Sequence, residues 1–140
     1  MVNKEIIKAK LNSIRENLDK IKVELKAPDE VLKKDDKARS ALERYFQLLV
    51  DSAVGINEHI ISEENLEVPD DYFGTFIILG KTGVLPYDFA ESIAPSVGLR
   101  NQIIHQYDKI DVYLMLENIR KNIHQYDEYM GLIANRYNLL

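Results

Sequence analysis

The sequence predicts an all-α fold, an antiparallel bundle of about five helices forming one domain over residues 1–140. Apolar residues recur at alternating spacings of four and three through most of the chain, the period of a helix with one buried face. No segment alternates apolar and polar residues as a half-buried strand does, and no hairpin turn separates two such runs. Prolines and aspartates fall between the periodic stretches, where helices stop and start.

The first stripe is Ile7, Leu11, Ile14, Leu18, Ile21 and Leu25, and Pro28 ends it by pushing the preceding residue out of helical geometry. Residues 28–35 read as a charged loop, with Asp35 or Asp36 capping the second helix. That helix carries Leu42, Tyr45, Phe46, Leu49, Ala53, Ile56 and Ile60 and runs to about Ser62, where Ser62-Glu63-Glu64-Asn65 breaks the pattern. Pro69-Asp70-Asp71 starts a short third helix containing Tyr72, Phe73, Phe76, Ile77 and Leu79; Gly80 and Gly83 stand where a C-cap belongs. The fourth begins near Pro86, with a kink or break expected around Ala94–Ser96 because Pro95 lacks an N–H, and it continues to about Tyr107. Asp108 or Asp111 caps the fifth, whose stripe is Val112, Leu116, Ile119, Ile123, Tyr126, Met130, Ile133 and Tyr137. Stripes as long as those of the first and last helices suit packing against a second copy of the chain, and equally an ordinary bundle within one chain.

Composition narrows the function. A chain of 140 residues, 46% apolar, buries a core without covalent staples. With no cysteine, disulfides, thiolate-bound zinc and thiol catalysis are excluded. The charged start Met1-Val2-Asn3-Lys4-Glu5 lacks an apolar secretory core, and no run approaches the roughly 18 apolar residues of a membrane span. The expectation is a cytoplasmic protein without a membrane partner. Net charge is −5 and uneven: residues 1–40 hold 11 Lys/Arg against 8 Asp/Glu, the remainder 7 against 15. Such a balance argues against a DNA-binding module, since phosphate neutralisation drives that affinity. It leaves room for an enzyme that touches RNA at a small cationic site.

One segment concentrates groups suited to such a site: Arg100-Asn101-Gln102-Ile103-Ile104-His105-Gln106-Tyr107. His105 gains and loses protons near neutral pH. Arg100 is a permanent cation whose planar fork matches phosphate oxygens. Asn101 lies four residues before His105, on the same helical face, placed to orient the imidazole or bind substrate. Tyr107 adds a hydroxyl. A base and a phosphate-binding cation without metal ligands suit cleavage of a phosphodiester by an internal nucleophile, the RNA 2′-hydroxyl, leaving a 2′,3′-cyclic phosphate. DNA lacks that hydroxyl. Arg100 and His105 are five residues apart, about 140° around an ideal helix. A site shared between two copies at a homodimer interface would bring both to one cleft; a long arginine bending round its own helix is the alternative.

The segment resembles the Arg-x4-His-x-Tyr motif of HepT-like HEPN proteins, with Arg100, Asn101, His105 and Tyr107 on the motif positions. The resemblance extends to Arg39–Ile61, to Asp70–Leu85 and to the Asp-Val-Tyr start of the last helix, nearly the whole chain. It implies a homodimeric all-α fold and a metal-independent endoribonuclease toxin, without a cofactor, of a type VII toxin–antitoxin system. The implied partner is a minimal nucleotidyltransferase antitoxin, MntA, which transfers AMP from ATP to the motif tyrosine, here Tyr107. A bulky anionic adduct two residues from His105 would exclude a substrate phosphate. Gln102 and Gln106 differ from residues common in the family, at positions outside its chemistry. The alternative functions are a non-catalytic HEPN dimer that holds a nucleotidyltransferase or a nucleotide, and a structural bundle without ligand.

Other features read as structural. Ile-His-Gln-Tyr-Asp recurs at 123–127, but Arg120 stands at the wrong spacing; Tyr126 belongs to the core stripe and His124 to the surface or an interface. His59 is expected to be exposed, and the three histidines lack ligand spacing, so no metal is expected. Gly80-Lys81-Thr82-Gly83 lacks the upstream glycine and strand of a phosphate loop. Lys33-Lys34-Asp35-Asp36-Lys37 reads as a solvated loop.

Overall fold

The structure, a computed structural model, describes residues 1–105 and 109–139. Among these are seven helices: α1 (Lys4–Glu24), α2 (Asp29–Lys34), α3 (Asp36–Glu63), α4 (Tyr72–Lys81), α5 (Tyr87–Ile93), α6 (Ser96–His105) and α7 (Val112–Arg136). The described residues contain no strand. None of the helices is long and apolar enough to cross a membrane.

The count exceeds the expected five for two reasons. Residues 29–34 form a helical turn and a half instead of a loop: Pro28 sets an extended entry, Asp29 and Glu30 favour the positive end of the helix, and Lys33 and Lys34 favour the negative end. Leu32 is buried, and Arg120 clamps the segment by donating to Asp29 Oδ1 and to the Leu25 carbonyl. The second addition is the break at Pro95, which separates α5 from α6.

Helix starts follow the aspartates. Asp35, Asp71 and Asp111 cap α3, α4 and α7, their carboxylates accepting the N–H of Ala38, Gly74 and Leu114. Asp108 lies outside the described residues. The Gly80–Gly83 stretch is a helix stop: Gly83 takes φ +80°, and Gly80 permits the close approach of Ala90.

Helices α1 and α3 run antiparallel. Met1 pairs with Glu63, Ser13 with Ser52, and the Lys20 ammonium lies over the Tyr45 ring. Helices α1 and α7 are antiparallel too, with Lys22 bridged to Asp127 and Arg120 reaching Leu25. The whole α1 stripe is buried inside this chain, each residue at most 7% exposed. Along α7, Leu116, Ile119, Ile123, Tyr126 and Ile133 are likewise buried, while Val112, Met130 and Tyr137 pack at its margin. Both long stripes are therefore used within the chain. Burial of each such leucine or isoleucine contributes about 1.5–3 kcal/mol.

His59 differs from expectation. It is half-buried, and its Nε2 accepts the backbone N–H of Asn3 at the start of α1. The second Ile-His-Gln-Tyr-Asp is structural. Tyr126 is fully buried, His124 is exposed, and Asp127 holds Lys22.

Candidate functional site

Helix α6 carries the candidate residues and is held at both of its flanks. Ser96, in its first turn, shares a 2.8 Å hydrogen bond with the Tyr126 hydroxyl of α7. Burial pushes the Tyr126 phenol well above its ordinary range, the nearby Asp51 carboxylate adds to that shift, and the Ser96 hydrogen bond opposes it. Leu99 and Ile103 anchor the same helix in the core.

Arg100 turns toward α3 and α4. Its Nε donates to Asp51 Oδ1 at 2.9 Å, and its Nη1 donates to Asn101 Oδ1 at 3.0 Å. The guanidinium lies 5.4 Å from the centroid of the Tyr72 ring, a cation–π contact. Only 16% of the Arg100 side chain is exposed, so it is packed into place rather than swinging in solvent. Asp51 was not singled out from the sequence, and Tyr72 was read there only as an apolar residue of the short third helix.

Tyr72 is itself placed by a buried chain of hydrogen bonds. The Tyr129 hydroxyl of α7 donates to Asn57 Oδ1 at 2.6 Å, and Asn57 Nδ2 donates to Thr75 Oγ1 at 3.1 Å. Thr75 Oγ1 in turn donates to the Tyr72 carbonyl at 2.7 Å. Asn57 and Thr75 are buried polar groups that an apolar-stripe reading passes over, yet they tie α7, α3 and α4 together beside Arg100.

Asn101 and His105 are exposed, away from the Asp51 contact. The Asn101 carbonyl is directed to Arg100, so in this arrangement it steadies the guanidinium rather than the imidazole. His105 is the last described residue of α6 and is exposed at the surface. Tyr107 lies outside the described residues. The structure thus joins Arg100 with Asn101 and leaves His105 on another flank of the same helix. Among the described residues, no group of three or more His, Asp or Glu side chains is placed to hold a metal ion.

What this arrangement offers chemically is a fixed cation with an exposed imidazole one turn further along. Comparison with known proteins gives it context. A protein-family model described as "Ribonuclease HepT-like" matches residues 14–133. The tRNA nuclease HepT of Aphanizomenon flos-aquae (strain 2012/KM1/D3) is 40% identical over 91 residues, 65% of this chain and 62% of that protein. A putative RNase of Archaeoglobus fulgidus is 28% identical over 79 residues, 55% of this chain and 59% of that protein. The matches thus span about three fifths of the length of these curated relatives. Among solved structures, the tri-AMPylated HEPN toxin of Shewanella oneidensis, in complex with an MNT antitoxin, superposes with a TM-score of 0.86. It has 18% identity, with 93% of this chain and 97% of that chain covered.

Proposed function

Because the chain belongs to the ribonuclease HepT-like family, we propose that it is an endoribonuclease toxin that cuts RNA by transesterification at Arg100 and His105. The observation that carries this reading is the anchoring of Arg100 by Asp51, Asn101 and Tyr72 on the helix that also carries an exposed His105. A preorganised cation stabilises charge that grows on a phosphate without having to be ordered during the reaction.

In this mechanism neutral His105 takes the proton of a 2′-hydroxyl, and the 2′-oxygen attacks the adjacent phosphorus. Arg100 meets the charge developing on the non-bridging oxygens. The bond to the 5′-oxygen breaks, and that oxygen takes up a proton as it leaves. The products are a 2′,3′-cyclic phosphate and a 5′-hydroxyl. Since the nucleophile is internal to the substrate, no metal-bound water is required.

The separation of Arg100 from His105 around α6 supports a site composed from two copies, one giving the cation and the other the base. The proposed switch is a nucleotidyltransferase antitoxin of the MntA kind, which transfers AMP from ATP to the Tyr107 hydroxyl and releases pyrophosphate. The adduct puts negative charge and bulk two residues from His105. The relationship to a HEPN toxin solved with its antitoxin supports this partner.

The test is incubation of the purified protein with defined RNAs in excess chelator, with analysis of product ends. Cyclic phosphate ends are expected. An uncut RNA, or 3′-hydroxyl ends, would refute the mechanism.

A further inference from the structure

The flank of α6 that bears Gln102 faces α7 across a furrow. Two adjoining cavities of about 270 and 220 Å³ open there, and both are walled by Leu99, Gln102 and Asn118. Lys121 and Asn122 line the first, and Lys109 lines the second. The one carboxylate among the described lining residues is Asp111, which is occupied in capping α7 through the Leu114 N–H at 3.2 Å. Asn122 is 8% exposed, and its side chain lines the first cavity.

We infer that this furrow is a subsite for single-stranded RNA, seating nucleotides that flank the bond cut at His105; the inference rests on the proposed nuclease reading. Three features support it. Gln102, which lines both cavities, is three residues from His105 and its neighbour on the helix surface. The carboxamides of Gln102, Asn118 and Asn122 offer paired donors and acceptors, which is what the edges of unpaired bases require. Lys109 and Lys121, one in each cavity, meet the flanking phosphates. From Asp111 to Asn122 the α7 wall extends about 17 Å at the rise of an α-helix, enough for a short stretch of strand. The walls mix these amides and lysines with the apolar side chains of Leu99, Ile110, Leu114 and Met115.

The experiment titrates a labelled single-stranded RNA with the full-length His105→Ala protein at several salt concentrations, reading fluorescence anisotropy. Lys121→Ala and Asn118→Ala are added separately, and sedimentation velocity is run on each. Lys121 is exposed, and circular dichroism checks that both variants fold. Lys121→Ala is expected to reduce the slope of log affinity against log salt by about one. Asn118→Ala is expected to weaken binding several-fold at fixed salt while keeping the slope. Unchanged affinity and slope in both variants would overturn the inference. So would a shift from dimer to monomer, which would place a second copy in the furrow. The nuclease reading is scored separately, by cleavage of the same RNA by the unsubstituted protein. Cleavage combined with silent furrow variants overturns the furrow alone; a changed slope without cleavage supports the furrow and overturns the nuclease.

Discussion

Arg100 Nε and Asp51 Oδ1 lie 2.9 Å apart across the contact between α6 and α3, with the Arg100 side chain largely buried. The carboxylate fixes the guanidinium on its Nε edge and leaves the Nη edge directed to Asn101. Asp51 is thereby a positioning residue for the proposed phosphate-binding cation. Asp51→Ala is expected to lower kcat/KM for RNA cleavage by on the order of 100-fold through misplacement of Arg100. Asp51→Glu is expected to recover part of that loss, which a purely structural role would not predict. Rates on one defined RNA, with melting temperatures measured alongside, check both.

The Tyr129–Asn57–Thr75 chain makes a prediction about stability. Asn57→Leu removes the nearer acceptor of the Tyr129 hydroxyl and the donor to Thr75, while Tyr129 keeps its 3.2 Å bond to the Ala53 carbonyl and Thr75 its bond to the Tyr72 carbonyl. A loss of about 0.5–1.5 kcal/mol for each hydrogen bond removed is expected in denaturant unfolding. Since Thr75 also holds the Tyr72 carbonyl, RNA cleavage at a permissive temperature should fall as well.

Gly80 is required by packing. A Cβ there would come within 2.6 Å of the Ala90 Cβ, and neither backbone can yield cheaply. Gly80→Ala is expected to cost about 1–3 kcal/mol by overpacking the α4–α5 contact. Gly98, where an added Cβ meets nothing within 4 Å, is the matched control and should tolerate alanine.

Alkaline stability follows from Tyr137. Burial, assisted by the hydrogen bond and charge of Glu64, pushes its phenol up to about 12. An unfolded tyrosine titrates near about 10. Between these values the folded chain holds a proton that the unfolded chain has lost, so stability is fully present below about pH 10 and falls as pH rises toward about 12. Tyr126 and Tyr129, raised by complete burial, steepen the same fall. Tyr137→Phe should give a shallower loss of melting temperature over this window, and an unchanged slope would contradict the assignment.

Much of the fold was legible because the dominant signal is apolar period: the first stripe is wholly buried, the second all but Tyr45, and most of the last, whereas in the short α4 Phe76 and Leu79 are buried and Tyr72 and Phe73 are exposed. The break at Pro95 and the three aspartate caps were legible for the same kind of reason, local backbone chemistry. Helix α2 was missed because one buried leucine, Leu32, is too short a stripe to register as a period. At the site, Arg100, Asn101 and His105 stand out by type and spacing. Asp51 does not, since its partner is 49 residues away in sequence. One signal was available: it is the only charged residue between Arg44 and Glu58, set within an apolar face. The packing of α3 against α4 that links Asn57 through Thr75 to the Tyr72 carbonyl exists only in three dimensions.

The central claim is that Arg100 and His105 perform the chemistry. The direct measurement compares single-turnover RNA cleavage by the unsubstituted protein, Arg100→Ala and His105→Ala, each purified as a folded full-length chain and assayed in excess chelator. The expected result is cleavage with cyclic phosphate ends by the unsubstituted protein, and loss of at least about 100-fold in each variant, the scale of general acid–base catalysis. A His105→Ala protein that cuts RNA at the unsubstituted rate would contradict it.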